Sequence, residues 1–198
     1  GQYAQALGGC RAAEFADLFA PETGAFASTV RGRMVGRERL IKLVESERQC
    51  TTPQTAKGKA GAARPAPTPT LEVTPTGVRG IVSLGTAEYE DEYVKTPQGW
   101  RFASRTVLTT PEKAAGLDAA GIIAIQRLGG AKLGDHYEPD ANGISRLITS
   151  GVRVNVTGDQ VTGKAYLQDG RYDEQVYEKT GPGQWRVKSS THVPAAAR

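Results

Sequence analysis

Between residues 3 and 19 the apolar side chains Tyr3, Leu7 and Cys10, then Phe15, Leu18 and Phe19, recur at helical spacing. Gly8-Gly9 interrupts the series and Pro21 stops it, which predicts two short consecutive helices. Residues 23–30 are β-prone, and residues 36–47 read as an amphipathic helix with Leu40, Ile41 and Val44 inward. Residues 51–70 hold Pro53, Pro65, Pro67 and Pro69 but no large aliphatic or aromatic side chain, so a mobile loop is expected there. Strands follow at 71–74, 78–84, 87–95 and 100–109, with a tight turn at Thr96-Pro97-Gln98-Gly99 and a stop at Pro111. Within 87–95, alternation puts Tyr89, Asp91, Tyr93 and Lys95 on one face and Glu88, Glu90 and Glu92 on the other, toward water.

The strand pattern recurs. Val78-Arg79-Gly80, Tyr89-Glu90-Asp91, Tyr93, Lys95-Thr96 and Trp100-Arg101-Phe102 reappear as Val161-Thr162-Gly163, Tyr172-Asp173-Glu174, Tyr177, Lys179-Thr180 and Trp185-Arg186-Val187. The offset drifts through one residue inserted in a strand, as a bulge inserts one, and one in the Gly181-Pro182-Gly183 turn. A helix capped by Asp118, with Ile122, Ile125 and Leu128 on one face and Gly129-Gly130 at its end, precedes the second copy. The expected organisation is a first unit over 1–112 and a partial copy over 118–198, made of one helix and a four-strand antiparallel meander.

Composition adds limits rather than chemistry. With 38% hydrophobic and 23% charged residues in 198, the chain can bury a core of its own, and no apolar run is long enough to span a membrane. The 24 glycines and 11 prolines favour sheets and turns over a helical bundle. The net charge of +4 comes from residues 1–64, which carry 10 Lys/Arg against 6 Asp/Glu. Their one dense group, Arg31, Arg33, Arg37 and Arg39, lacks aromatic companions, so it reads as a solvated face and nucleic acid is not an expected partner. Cys10 and Cys50 have no metal-ligand spacing; they are either two buried thiols or a disulfide tying the first helix to the third. The start Gly1-Gln2-Tyr3 fits a removed targeting segment or a trimmed chain. The compartment stays open between cytoplasm, periplasm and secretion.

Tyr3-Ala4-Gln5-Ala6-Leu7, Glu14-Phe15-Ala16-Asp17-Leu18-Phe19-Ala20-Pro21, Gly36-Arg37-Glu38 and the hairpin string from Tyr89 to Phe102 resemble the SnoaL-like branch of the nuclear-transport-factor-2-like superfamily. The resemblance covers residues 1–110, and its hairpin is echoed at 145–193. It implies an α+β cone, a curved antiparallel sheet wrapped around N-terminal helices that leaves an apolar pocket. Relatives include ketosteroid isomerases, scytalone dehydratases, polyketide cyclases and non-catalytic binding proteins. Two departures stand out: Gly8 occupies the place of a frequent Asp, and Arg64-Pro65 the place of a frequent Arg-His pair.

Chemistry of the isomerase or dehydratase kind needs a base near neutral pKa and a donor for an enolate or alkoxide. Candidate bases are His136, in Gly134-Asp135-His136-Tyr137-Glu138, and Asp17; candidate donors are Tyr3 and Tyr137. Tyr89, Asp91, Tyr93 and Trp100 are candidate substrate contacts, although Trp100 and Trp185 read foremost as core anchors, and His192 reads as exposed at a strand end. The expectation is a cofactor-independent lyase, isomerase or cyclase acting on a hydrophobic oxygenated small molecule, with no metal and with homodimerisation through the sheets. The alternative is a non-catalytic small-molecule-binding or assembly module of the same fold.

Overall fold

The computed structural model describes residues 1–51 and 68–194. The chain folds as α1 (Gln2–Gly8), α2 (Ala12–Ala16), β1 (Ala25–Ser28), β2 (Gly32–Val35), α3 (Arg37–Glu45), α4 (Arg48–Thr51), β3 (Thr70–Thr74), β4 (Gly77–Leu84), β5 (Ala87–Thr96) and β6 (Gly99–Thr109). It continues through α5 (Thr110–Ala114), α6 (Ala119–Arg127), β7 (Asp135–Pro139), β8 (Ser145–Ser150), β9 (Val152–Thr157), β10 (Gln160–Tyr166), β11 (Tyr172–Gly181) and β12 (Gln184–Val193). The class is α+β, as the sequence predicts.

The first sheet has the order β3-β4-β5-β6-β1-β2-β8-β7, and a second sheet has the order β12-β11-β10-β9. The first is mixed rather than antiparallel, because β1 runs parallel to β6 and β2 runs parallel to β8. The region 118–198 therefore supplies six strands instead of four, and its hairpin β7–β8 extends the first sheet beyond β2. Gly32 makes that junction: it has φ +73, and a Cβ there would lie 1.8 Å from the Ser150 carbonyl oxygen.

Alternation along the first sheet sorts its side chains into two cores. On one face Phe26 and Met34 pack with Phe15 and Phe19 of the N-terminal segment and with Leu40, Leu43 and Val44 of α3. On the other, Ala27 and Leu108 meet Ile122 and Ile125 of α6, whose far side is covered by Val152, Val161, Tyr177 and Trp185 of the second sheet. Helix α6 is thus held between the two sheets, with Asp118 capping it by accepting from the Gly121 amide at 2.6 Å.

Several local expectations need correction. Strand β2 forms between the β-prone stretch and α3, where the sequence pattern predicts no element, because its Met34 pairs with Phe26 and fills the core. Leu128 is 42% exposed, since α6 ends at Arg127 before the predicted apolar stripe is complete. Glu88 and Glu90 do not stand in water; they pair with Lys113 at 2.9 Å and with Arg79 at 2.5 Å beside the α6 layer. Most of the predicted 51–70 loop lies outside the described residues, while Thr70 already belongs to β3. Cys10 and Cys50 form a disulfide with a Cα–Cα distance of 5.4 Å, tying the α1–α2 junction to α4, the short helix after the third. Among the described residues no helix is long and apolar enough to cross a membrane.

Candidate functional site

Strands β5 and β6 pair antiparallel from the Thr96–Gly99 turn, and a bulge between Glu92 and Tyr93 shifts the register by one residue. The shift brings Arg105 directly across from Asp91, on the face that receives α1 and α2. Asp91 is 0% exposed. Its carboxylate accepts from Arg105 Nε at 2.7 Å and Nη2 at 2.6 Å, a bidentate pair, and from the Tyr93 hydroxyl at 2.9 Å. The guanidinium carbon lies 4.1 Å from the ring centroid of Tyr3, 4.3 Å from that of Phe102 and 5.0 Å from that of Tyr89. A buried ion pair is thereby enclosed by aromatic faces.

The electrostatics follow from this enclosure. Burial opposes the charge on Arg105, but the hydrogen bonds and charge of Asp91 outweigh it and hold the guanidinium above its ordinary value. Burial pushes the Tyr3 phenol up, with Arg105 opposing in part. Burial and the Asp91 carboxylate together push the Tyr93 phenol up. Both phenols are therefore neutral donors at ordinary pH. The Tyr93 ring lies across β4 at Gly80, where a Cβ would come within 2.9 Å of it. A similar local arrangement exists in the second sheet, where the Tyr177 hydroxyl donates to Gln175 at 2.7 Å and its ring lies 2.9 Å from a Cβ built at Gly163. There the cross-strand pair is Gln175 and Ser190, both neutral.

Outside the ion pair an aromatic cleft of about 300 Å³ opens between Tyr3, Leu18, Tyr93, Trp100, Arg101 and Phe102. Trp100 is 52% exposed at its rim, with Lys95 Nζ 5.6 Å from its ring centre, whereas Trp185 is 8% exposed and sits in the core. The reading of Trp100 as a core anchor is corrected accordingly: it caps a hairpin end, where no second layer covers it. A larger concavity, about 750 Å³, lies on the α6-distal side of the second sheet and is lined mainly by polar side chains such as Arg153, Thr162, Lys164 and Glu174. It lacks the convergence of an apolar wall with a few placed polar groups that the aromatic cleft has.

The predicted site residues divide between regions. Tyr3, Tyr89, Asp91 and Tyr93 come together, with Trp100 at the rim. Asp17 is 61% exposed and paired with Arg37 at 3.0 Å. His136 and Tyr137 lie on β7, four strands from β6, a separation of roughly 19 Å at ordinary strand spacing. His136 is 3.0 Å from Glu138 and stacks on Tyr166 at 4.0 Å, while the exposed Tyr137 hydroxyl lies 3.5 Å from Asp135. His192 is exposed and 2.7 Å from Asp173. Neither candidate base, His136 or Asp17, is hydrogen-bonded to Tyr3. Among the described residues no group of three or more His, Cys, Asp or Glu is placed to hold a metal. The central residue that sequence reasoning missed is Arg105.

No family model matches the chain, and neither does any curated protein. Solved structures similar to it include an NTF2-like protein with a cystatin-like fold from Novosphingobium aromaticivorans, 17% identical over 53% of this chain and 73% of that one, at a TM-score of 0.39. A protein of unknown function from Mycobacterium tuberculosis is 16% identical, covers 60% and 72% of the two chains, and has a TM-score of 0.40. A protein of the DUF3225 family, also of unknown function, from Pectobacterium atrosepticum is 16% identical, covers 55% and 82%, and has a TM-score of 0.38.

Proposed function

We propose that the chain is a non-catalytic small-molecule-binding module of the SnoaL-like kind, which takes a hydrophobic, oxygenated, ring-bearing ligand in the aromatic cleft. The observation that carries this reading is the saturation of Asp91. It is the carboxylate that the cleft phenol Tyr93 donates to, and it already accepts a bidentate guanidinium as well. A base so held can take a substrate proton only by abandoning a buried cation, at a cost of several kcal/mol. The locked pair instead fixes the rings of Tyr3, Tyr93 and Phe102 as a rigid platform, which lowers the ordering cost of binding a flat ligand. Reading the two meanders as copies, the neutral Gln175 and Ser190 mark the charge pair as a feature peculiar to the first. The disulfide favours an oxidising compartment.

The test separates this reading from the lyase or isomerase one. With 2-naphthol as probe, calorimetry is expected to show saturable binding that Tyr93→Phe weakens and Trp100→Ala abolishes. The Arg105 Nε–H resonance should keep its hydrogen-bonded position in the complex. Release of that resonance on binding would free Asp91 as a base and favour the enzymatic reading; absence of saturable binding would remove the binding one.

A further inference from the structure

A second cleft, of about 230 Å³, lies under the opposite face of the first sheet, between β2, α3 and the end of α6. Three arginines reach it: Arg33 from β2, Arg39 from α3 and Arg127 from α6. Their situations differ. Arg39 is 3.1 Å from Asp135 and donates to the Ser150 hydroxyl, which itself donates to Asp135 at 2.7 Å, so the carboxylate at this cleft is taken up. The Gln126 amide at the back is spent on Val152, donating to its carbonyl at 2.6 Å and accepting from its N–H at 2.9 Å. Arg33 and Arg127 form no ion pair or side-chain hydrogen bond among the described residues, and residues 52–67 contain no Asp or Glu that could pair with them.

Alternation explains how a cation is trapped there. Arg33 is opposite Ala27 on β1, on the sheet face that packs against α6. Arg33 is half-buried there, and the more exposed Arg127 lines the same cleft. Burial, and then the Arg127 charge, hold the Arg33 guanidinium below its ordinary value. Two like charges facing one half-enclosed cleft repel, and among the described residues no carboxylate forms an ion pair with either. A guanidinium left without a carboxylate presents its planar fork to any oxyanion that enters.

We propose that this cleft is an oxyanion site, built by Arg33 and Arg127 with Arg39 at its edge, for a phosphate group. Two cations without an ion-pair partner among the described residues match a dianion better than a carboxylate, and the volume admits a phosphate head but not a nucleotide. The site is on the far side of the sheet from the aromatic cleft and does not depend on it.

Isothermal titration of the whole protein with inorganic phosphate at low ionic strength tests the proposal, with chloride and acetate at matched ionic strength as controls and phenyl phosphate as the organic monoester. Saturable one-to-one binding of phosphate is expected, weakened about tenfold by either Arg33→Gln or Arg127→Gln, as the loss of a charge-assisted contact implies. Lys188→Gln, which removes an exposed charge on β12, should leave it unchanged. Tighter binding of phenyl phosphate than of free phosphate would identify the natural source as a phosphorylated small molecule, and the reverse would identify the free ion. Without phosphate, Arg33→Gln should raise the melting temperature by relieving the repulsion. Phosphate binding no stronger than chloride binding, or equal losses in Arg33→Gln and Lys188→Gln, would overturn the site.

Discussion

Replacing Asp91 with Asn keeps the shape of the side chain and removes its charge, leaving Arg105 as a cation enclosed by three rings. The Asp91 and Arg105 side chains are 0% and 9% exposed, so solvent gives little screening. Breaking a buried pair from one side costs about 3–5 kcal/mol, because the remaining charge stays desolvated. For 198 residues the unfolding entropy is about 0.4 kcal/mol/K, which converts that loss into a fall in Tm of roughly 7–12 °C. The double variant Asp91→Asn with Arg105→Met removes both charges and keeps an unbranched stem against Tyr3 and Phe102. It should recover most of the loss, since neutral replacement of a buried pair is often close to isoenergetic. Thermal and urea denaturation followed by circular dichroism measure the parent, the single variants Asp91→Asn and Arg105→Met, and the double variant. A single variant within about 1 kcal/mol of the parent, or a double variant as unstable as the sum of the singles, would refute the reasoning.

Reduction of the Cys10–Cys50 disulfide, or Cys10→Ser with Cys50→Ser, opens a loop of sequence separation 40; the chain-entropy relation gives about 4 kcal/mol, read as a drop in Tm on adding a reductant. Alkaline titration should reveal the raised phenols of Tyr3, Tyr93 and Tyr177, which ionise in the unfolded chain near the ordinary tyrosine value but not in the folded one. Their stability contribution is therefore complete below about pH 10 and is lost as pH rises above it, measurable as falling urea midpoints alongside incomplete tyrosinate absorbance. Gly32→Ala should destabilise by more than 2 kcal/mol, roughly 5 °C in Tm, because a Cβ meets the Ser150 carbonyl at 1.8 Å; an unchanged melting curve would mean that β8 docks on β2 differently.

Periodicity alone makes most elements of the first unit legible. The strands at 78–84, 87–95 and 100–109 and the Asp118 cap can be read because alternation and capping are local signals. What the sequence hides depends on pairing between distant segments. Counting back from the Thr96–Gly99 turn puts Ser104 opposite Asp91 and sends Arg105 to the other face; the bulge at Glu92/Tyr93 reverses that assignment. The same one-residue shift decides whether a buried carboxylate is a free base or half of an ion pair, so the chemistry of the site cannot be read without it. The expectation for 118–198 likewise misses β7 and β8, because their partner is β2 of the first unit rather than their own meander. His136 is a strong local signal, a histidine among Asp, Tyr and Glu, yet its strand lies at the far edge of the sheet and its ring is occupied by Tyr166. A cluster close in sequence can converge on nothing, whereas Tyr3 and Arg105, far apart in the chain, converge at 4.1 Å.

The aromatic cleft over a locked ion pair is tested most directly by two-dimensional 1H–15N NMR of the protein titrated with 2-naphthol. The protein has two indole N–H groups, those of Trp100 at the cleft rim and Trp185 in the core, so one molecule carries both the reporter and its control. The account predicts a saturable shift of the Trp100 indole and of the Phe102 amide, with the Trp185 indole unmoved. Equal movement of both indoles, or none in Trp100 at saturating probe, would contradict it.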